Sequence, residues 1–376
     1  MTSQIVFLTR FVPHYRVPLL RRLHAELGWI VATSAEEGAQ GLKLATEDEP
    51  FIRRFPFRFP RPGDPFTTIV PVGQILKETG ASAIVSEFGL RMSSTYGLLA
   101  RRRLGGVPVM FWTHGFNSSR GETSMKDKAL QGAARLLLRQ ADGCVCYSEP
   151  GLERLAQVMP RDRLFVAHNT MDLAPLQASA ARLGRLEVPG GPHLLSVGRM
   201  LADKDFPLLI RAFRRFRAQC APDATLTLVG DGPDMPAVRA AAGDGVGIRL
   251  LGSIYDEEIL AREFMSADLF VYAGAVGLAA NHALAFGLPV MIFEQTPQGP
   301  LHSPEDVYVV PGVSGVRVKP YTQEGLVAAM AEFFTRHPNP RAAFGAKIAE
   351  FVEENLSLDR MVRDFSAVTT FLNGRV

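Results

Sequence analysis

Along most of the chain, short apolar runs alternate with longer stretches of helical spacing. Ile5-Val6-Phe7-Leu8 reads as a buried strand, and residues 17–27 then repeat their apolar positions at the period of a helix. The pair of patterns recurs, with strands at 83–85, 107–112 and 143–147 and helices at 92–104, 126–140 and 150–159. Pro150 suits a first helical turn. Regularity lapses between 173 and 191, in a stretch closing on Pro189-Gly190-Gly191-Pro192 that reads as a linker. It restarts with strands at 193–197, 225–229, 248–251, 269–272 and 289–293 and helices at 206–219, 235–242, 256–266 and 278–286. Three helical stretches follow, at 322–335, 342–355 and 358–372.

Such βα alternation predicts parallel sheets covered by helices on both faces. The reading is two doubly wound α/β domains in tandem. Residues 1–172 form the first, 173–192 a linker, and 193–355 the second, and a C-terminal helix at 356–376 packs back toward the first. Ligands of these sheets bind outside the carboxyl ends of the strands, so a cleft between the two domains is the expected active site.

One segment imitates a membrane span. Residues 269–293 contain no Lys, Arg, Asp or Glu, yet Gly274, Gly277, Gly287 and Pro289 divide them into strand, loop, short helix and strand. Composition adds little beyond class. A chain of 376 residues with 47% hydrophobic and 21% charged residues has room for two or three globular domains and excludes disordered, collagen-like and coiled-coil classes. The net charge of +3 conceals an asymmetry. Residues 1–170 hold 22 Lys+Arg against 15 Asp+Glu, and the remainder 19 against 23. A basic first half suits an anionic partner such as a membrane surface or a phosphate-bearing substrate. Three cysteines are no disulfide framework, and Cys144 and Cys146, two apart on a strand, are expected in the core. The opening Met1-Thr2-Ser3-Gln4-Ile5 lacks the features of a signal peptide, so a cytoplasmic protein is expected.

Three segments could carry chemistry in the second half. In Ser196-Val197-Gly198-Arg199 with Lys204, a strand ends in a glycine turn and two cations precede a helix, an arrangement suited to a diphosphate. A solvated loop with two exposed cations would read the same way. Val229-Gly230-Asp231-Gly232-Pro233 is a strand running into a tight turn. In Gly274-Ala275-Val276-Gly277-Leu278 a glycine-bearing loop opens a short apolar helix whose N–H groups suit phosphate oxygens. His282 within that helix is either a core residue or a ligand contact. In the first half, His114 follows a strand and can orient or deprotonate a hydroxyl, unless it only caps or packs. Arg10, His14, Tyr15 and Arg16 cluster after the first strand. Walker, HExxH, GxSxG and GxGxxG patterns are absent, which argues against P-loop, zincin, α/β-hydrolase and dehydrogenase chemistry, and no partner nucleic acid is expected.

Taken together, these features resemble the retaining glycosyltransferases of family 4 with the GT-B fold. The resemblance rests on Val197-Gly198-Arg199 with Lys204, Gly230-Asp231-Gly232-Pro233, Leu251-Gly252-Ser253, Ala267-Asp268-Leu269-Phe270-Val271 and Gly287-Leu288-Pro289-Val290. In the first half, Val12-Pro13-His14-Tyr15-Arg16-Val17-Pro18 looks like the opening of members that build bacterial O-antigens, capsules and exopolysaccharides. Asn169-Thr170-Met171-Asp172 resembles the motif closing their first domain. The family's two glutamates eight positions apart align with Gly274 and His282, so neither carboxylate is present. Some polysaccharide-building members carry this version followed by Pro-Glu, here Pro304-Glu305.

The resemblance implies two tandem Rossmann-like domains and transfer of a sugar, with retention, from a nucleotide-diphosphate sugar to a lipid-linked or polysaccharide acceptor. No metal is required and the only cofactor-like molecule is the donor. Arg199, Lys204 and His114 take the catalytic roles. Gly198, Gly230, Gly252, Ser253, Gly274, Val276, Gly277, Leu278, His282 and Glu305 lie around the donor, and Arg10, His14, Tyr15, Arg16 and Asn169 on the acceptor side. His282, at the second glutamate position, is expected to face the ribose or phosphates. Arg101-Arg102-Arg103 and Lys126, Lys128, Arg135 and Arg139 suggest weak peripheral attachment to an anionic inner membrane face. A non-catalytic nucleotide-sugar-binding relic and a nucleotide-sugar epimerase are the alternatives on the same architecture.

Overall fold

The structure is a computed structural model that describes residues 4–35, 44–45, 49–61, 64, 66–114, 125–186, 188, 190–296 and 298–375. Pro189 and the first three residues, read in the sequence, lie outside them. The chain forms two compact units, residues 1–172 with 358–376 and residues 173–357.

Unit 1 is a parallel sheet of seven strands: β1 (Ile5–Leu8), β2 (Ile30–Ser34), β3 (Ile52–Phe55), β4 (Ala83–Glu87), β5 (Val109–Thr113), β6 (Gly143–Cys146) and β7 (Leu164–Val166), in the order 3-2-1-4-5-6-7. Its helices are α1 (Val17–Leu27), α2 (Val72–Thr79), α3 (Ser93–Arg103), α4 (Met125–Leu138) and α5 (Glu149–Leu155). Strand alternation sorts the core. Val6, Leu8, Phe111, Cys144 and Cys146 lie on one face, and Ile5, Phe7, Trp112 and Val145 on the other. Both cysteines are fully buried core residues, and desolvation pushes the Cys146 thiol up to about 12.

Unit 2 holds α6 (Ala174–Leu183), then β8 (His193–Val197), α7 (Phe206–Gln219), β9 (Thr225–Val229), α8 (Met235–Ala242), β10 (Ile248–Leu250), α9 (Glu257–Ser266), β11 (Leu269–Tyr272), α10 (Ala279–Ala285), β12 (Val290–Phe293), β13 (Gly315–Val318), α11 (Gln323–Arg336) and α12 (Pro340–Leu356). Its six parallel strands run 10-9-8-11-12-13. The imitation of a membrane span is therefore β11, α10 and β12, a central part of this sheet. Among the described residues no helix is long and apolar enough to cross a membrane.

The segment read as a linker needs correction. It carries α6, which packs on α9 and α10, and Arg185 Nη1 donates to the carbonyls of Met265 (2.7 Å) and Ala267 (2.9 Å). None of the α6 side chains is fully buried, so no apolar stripe announced the helix. The final helix, α13 (Leu358–Asn373), belongs to unit 1. Its buried Met361, Val362, Phe365, Val368 and Leu372 follow helical spacing, and Trp29 Nε1 donates to Thr369 Oγ1 at 3.0 Å. Each such side chain contributes roughly 1.5–3 kcal/mol when taken from water.

Candidate functional site

In unit 2 the topological switch falls between β8 and β11, whose neighbours diverge to either side. Gly198 follows β8 so closely beneath Tyr272 that a Cβ would strike the phenol oxygen. Gly230 turns the chain after β9 with φ 139°, and a Cβ there would strike the Gly198 carbonyl. Gly230 N donates to Gly252 O at 2.7 Å and Met200 N to Asp231 O at 3.0 Å. The structure thus gathers Gly198, Gly230 and Gly252 at the carboxyl ends of adjacent strands, while Ser253 beyond them is exposed.

The two cations lie on the loop before α7. Arg199 is exposed, and among the described residues it forms no ion pair. Lys204 is half-buried: Nζ donates to Ala275 O at 2.6 Å, sits 3.7 Å from Asp203 Oδ2 and 5.9 Å from the centre of the Tyr272 ring. Two of its three N–H donors remain after the bond to Ala275. Asp205 next to it adopts a left-handed conformation (φ 45°), accepts from Leu208 N at 3.2 Å to cap α7, and accepts from Tyr321 Oη at 2.8 Å.

The loop after β11 is tied to this turn. Gly274 N donates to Lys204 O (2.9 Å) and Ala275 N to Asp203 O (2.8 Å). A Cβ on Gly274 would lie within 2.6 Å of Lys204 Cα. A glutamate side chain therefore has no room here. Val276, expected beside the donor, turns inward from the same loop. Its side chain is fully buried, its N–H donates to His302 Nδ1 (3.1 Å), and its carbonyl accepts from Ser303 N (2.9 Å). Sequence reading missed His302. It is buried, and since Nδ1 accepts, Nε2 carries the proton and donates to Phe293 O at 2.8 Å. Burial pushes its pKa down, which keeps the neutral tautomer that holds the loop.

Gly277 and Leu278 are partly exposed at the start of α10. A Cβ on Gly277 would lie 3.5 Å from Ser303 Oγ and 3.9 Å from Glu305 Oε2, so Glu305 lies behind this loop, only 2% exposed. His282 packs edge-on to Phe264 of α9, ring centres 6.3 Å apart, and desolvation pushes it to about 4. This position presents a neutral imidazole at physiological pH.

Unit 1 has its own concavity, of about 680 Å³, at the carboxyl ends of β4 and β5. Arg10, Glu87 and His114 line it, with Phe66, Trp112 and Tyr147. The His114 ring stacks on Tyr147 at 4.3 Å. Desolvation lowers its pKa to about 4, against which Glu87 pulls upward while Arg16 and Arg154 push down, although part of the residue stays exposed. Arg10 Nε donates to Glu87 at 2.9 Å. The other residues expected on the acceptor side do not line this concavity. Arg16 donates to Thr170 O (3.0 Å) and to Asn169 Oδ1, and lies 5.1 Å over Trp112, so it anchors the Asn169 segment. His14 is exposed with Tyr15 beside it. Among the described residues no group of three or more His, Cys, Asp or Glu side chains is placed to hold a metal.

Comparison with known proteins agrees with this architecture. Residues 19–175 match the family described as Glycosyltransferase Family 4, and residues 191–336 that described as Glycosyl transferases group 1. Sucrose-phosphate synthase from Thermosynechococcus elongatus superposes with a TM-score of 0.75 at 18% identity, covering 100% of both chains. Anabaena HepE in complex with UDP and glucose gives 0.66 at 15% identity, covering 98% of this chain and 99% of that one. The lipopolysaccharide outer core galactosyltransferase WaaB gives 0.66 at 15%, again over 98% and 99%. A search of curated proteins finds no match. The two domain matches and the two-sheet architecture define a glycosyltransferase of GT-B fold, and the chain is a transferase enzyme.

Proposed function

We propose that the chain moves a sugar, with retention, from a nucleotide-diphosphate sugar to a lipid-linked or glycan acceptor in the building of a cell-surface glycan. The carrying observation is the pair of cations at the switch point of unit 2. Arg199 is exposed and uncommitted among the described residues, and Lys204 keeps two donors beside glycine turns that bring backbone close to a ligand. Anabaena HepE, of the same fold, is a complex with UDP and glucose. Arg199 and Lys204 would neutralise the diphosphate as it departs, which is electrostatic stabilisation of a leaving group. Front-side attack by the acceptor hydroxyl then gives retention without an enzyme nucleophile. His114, neutral at pH 7, would accept or orient the hydroxyl from unit 1.

The test is turnover with a panel of nucleotide sugars. Arg199→Ala and Lys204→Ala should each lower turnover by roughly 10²–10³. Arg199→Ala should leave the unfolding temperature unchanged, because its side chain is exposed. Near-normal turnover in both variants would remove the assignment.

A further inference from the structure

We infer that His302 is a positioning residue for the transfer reaction: through a single peptide group it fixes the place of the Lys204 ammonium. This deepens the role proposed for Lys204 at the departing diphosphate, and rests on it.

The carbonyl of Ala275 and the N–H of Val276 belong to one planar group, and in a trans peptide they point in opposite directions. The carbonyl accepts from Lys204 Nζ at 2.6 Å, and the N–H donates to His302 Nδ1 at 3.1 Å. Rotation of that unit breaks both bonds together. Among the described residues, Ala275 O is the one hydrogen-bond acceptor that Nζ meets. The competing attraction is Asp203 Oδ2, 3.7 Å from Nζ on a side chain 60% exposed.

The imidazole is itself fastened to the sheet. Nε2 donates to Phe293 O at 2.8 Å, at the end of β12, and the His302 backbone N–H donates to Gln295 Oε1 at 3.1 Å. A line of bonds thus runs from the end of an interior strand through imidazole and peptide to the ammonium, and each bond in such a chain polarises the next. The loop has other supports that do not involve the ring. Gly274 N and Ala275 N donate to the Lys204 and Asp203 carbonyls, and Val276 O accepts from Ser303 N. Backbone bonds therefore keep the loop in place, and what the ring adds is the orientation of the one peptide that Lys204 uses. Without Nδ1, a buried N–H loses its acceptor. The peptide then turns toward another acceptor, its carbonyl leaves Nζ, and the ammonium moves to Asp203, away from the diphosphate.

The experiment is a double-mutant cycle in the full chain, read by steady-state transfer from a nucleotide sugar. His302→Gln can keep a donor for Phe293 O but loses the acceptor for Val276 N, and His302→Asn does the reverse. His302→Gln should lower kcat by roughly ten- to hundredfold, the scale of displacing a catalytic group by about 1 Å, with a smaller change in KM. His302→Asn should recover most of that loss. In the Lys204→Ala background, His302→Gln should cost less than about twofold, since the group it positions is gone. An equal cost in both backgrounds overturns the inference, because His302 then acts other than through Lys204. So does near-normal kcat in His302→Gln, or an Asn variant as slow as the Gln variant. A crystal structure of His302→Gln tests the link without turnover: Nζ should have left Ala275 O, and an unmoved Nζ overturns the inference. Near-normal turnover in Lys204→Ala alone would instead count against the proposed role of Lys204, and the structural result separates the two failures.

Discussion

Gly274, which the sequence resemblance aligns with a glutamate, has surroundings that leave no room for a carboxylate. The residue is bonded to Lys204 O and its Cα faces the backbone of Asp203 and Lys204, so any side chain forces the lysine turn outward. Gly274→Glu is therefore expected to destabilise unit 2 by about 1–3 kcal/mol, the ordinary cost of overpacking, and to weaken donor binding. Denaturant unfolding and nucleotide titration check this, and a stable variant with raised turnover would mean that the loop has room. The glycine itself was readable in the sequence, but the reason for it was not. The Asp203 and Lys204 backbone lies some seventy residues away in the chain. His302 escaped notice for the same reason. Its bond to Val276 spans 26 residues, and a single histidine in a loop carries no periodic signal.

At the scale of elements, α13 is fastened to the rest of unit 1 by an apolar stripe and by His168. The imidazole Nε2 lies 2.9 Å from Glu149 on α5, and Nδ1 lies 3.8 Å from Asp364 on α13. Burial opposes the charge, yet the flanking carboxylates of Asp364 and Glu149 prevail and raise the pKa to about 9. A raised pKa stabilises the fold fully below the unfolded value of 6.5, and the contribution fades as pH rises through about 9. Glu149, held below its usual range chiefly by the His168 hydrogen bond, adds stability that disappears only as pH falls below the ordinary carboxylate range. Unfolding free energy should thus fall by roughly 1–3 kcal/mol between about pH 6.5 and 9. His168→Gln should flatten that slope, and denaturation curves across the range check it. An equally steep wild-type and variant profile would place the titration elsewhere. The stripe on α13 was legible from its spacing, whereas α6 was not, because its side chains meet their partners at a half-buried surface.

For the whole molecule, the excess of positive charge in residues 1–170 suggests a surface role, but the structure reassigns part of it. Arg102 forms a two-pronged pair with Asp142, at 2.6 and 2.8 Å, and so leaves the set of candidate membrane cations. On α4, exposed Met125 (83%) and Leu136 (63%) lie three turns apart on one face, and Lys126, Lys128 and Arg135 are exposed around them. The full chain is expected to bind vesicles rich in anionic lipid at low salt and to release them as ionic strength rises, exposed charges being screened beyond about 8 Å at physiological salt. Leu136→Glu should weaken that binding. Flotation with anionic and neutral vesicles checks it, and equal binding to both, or none at low salt, would remove the membrane surface as a partner.

By itself the sequence determined most of the strands and helices, though not β2, β3, β7, β13, α2 or α6, that they alternate into two doubly wound domains, and where the glycine turns and cations fall between them. Those features are local. A period of 2 or 3.6 residues, a glycine after a strand and a lysine before a helix are each written within a dozen positions. Only the tertiary structure decided that Glu87 stands at the switch point of the first sheet, that Arg16 and Arg102 are committed to partners within unit 1, and that the loop after β11 rests on Lys204 and His302. Each of these depends on contacts between residues far apart in sequence, and the order of strands in a sheet, which brings such residues together, leaves no mark on the pattern within any one strand.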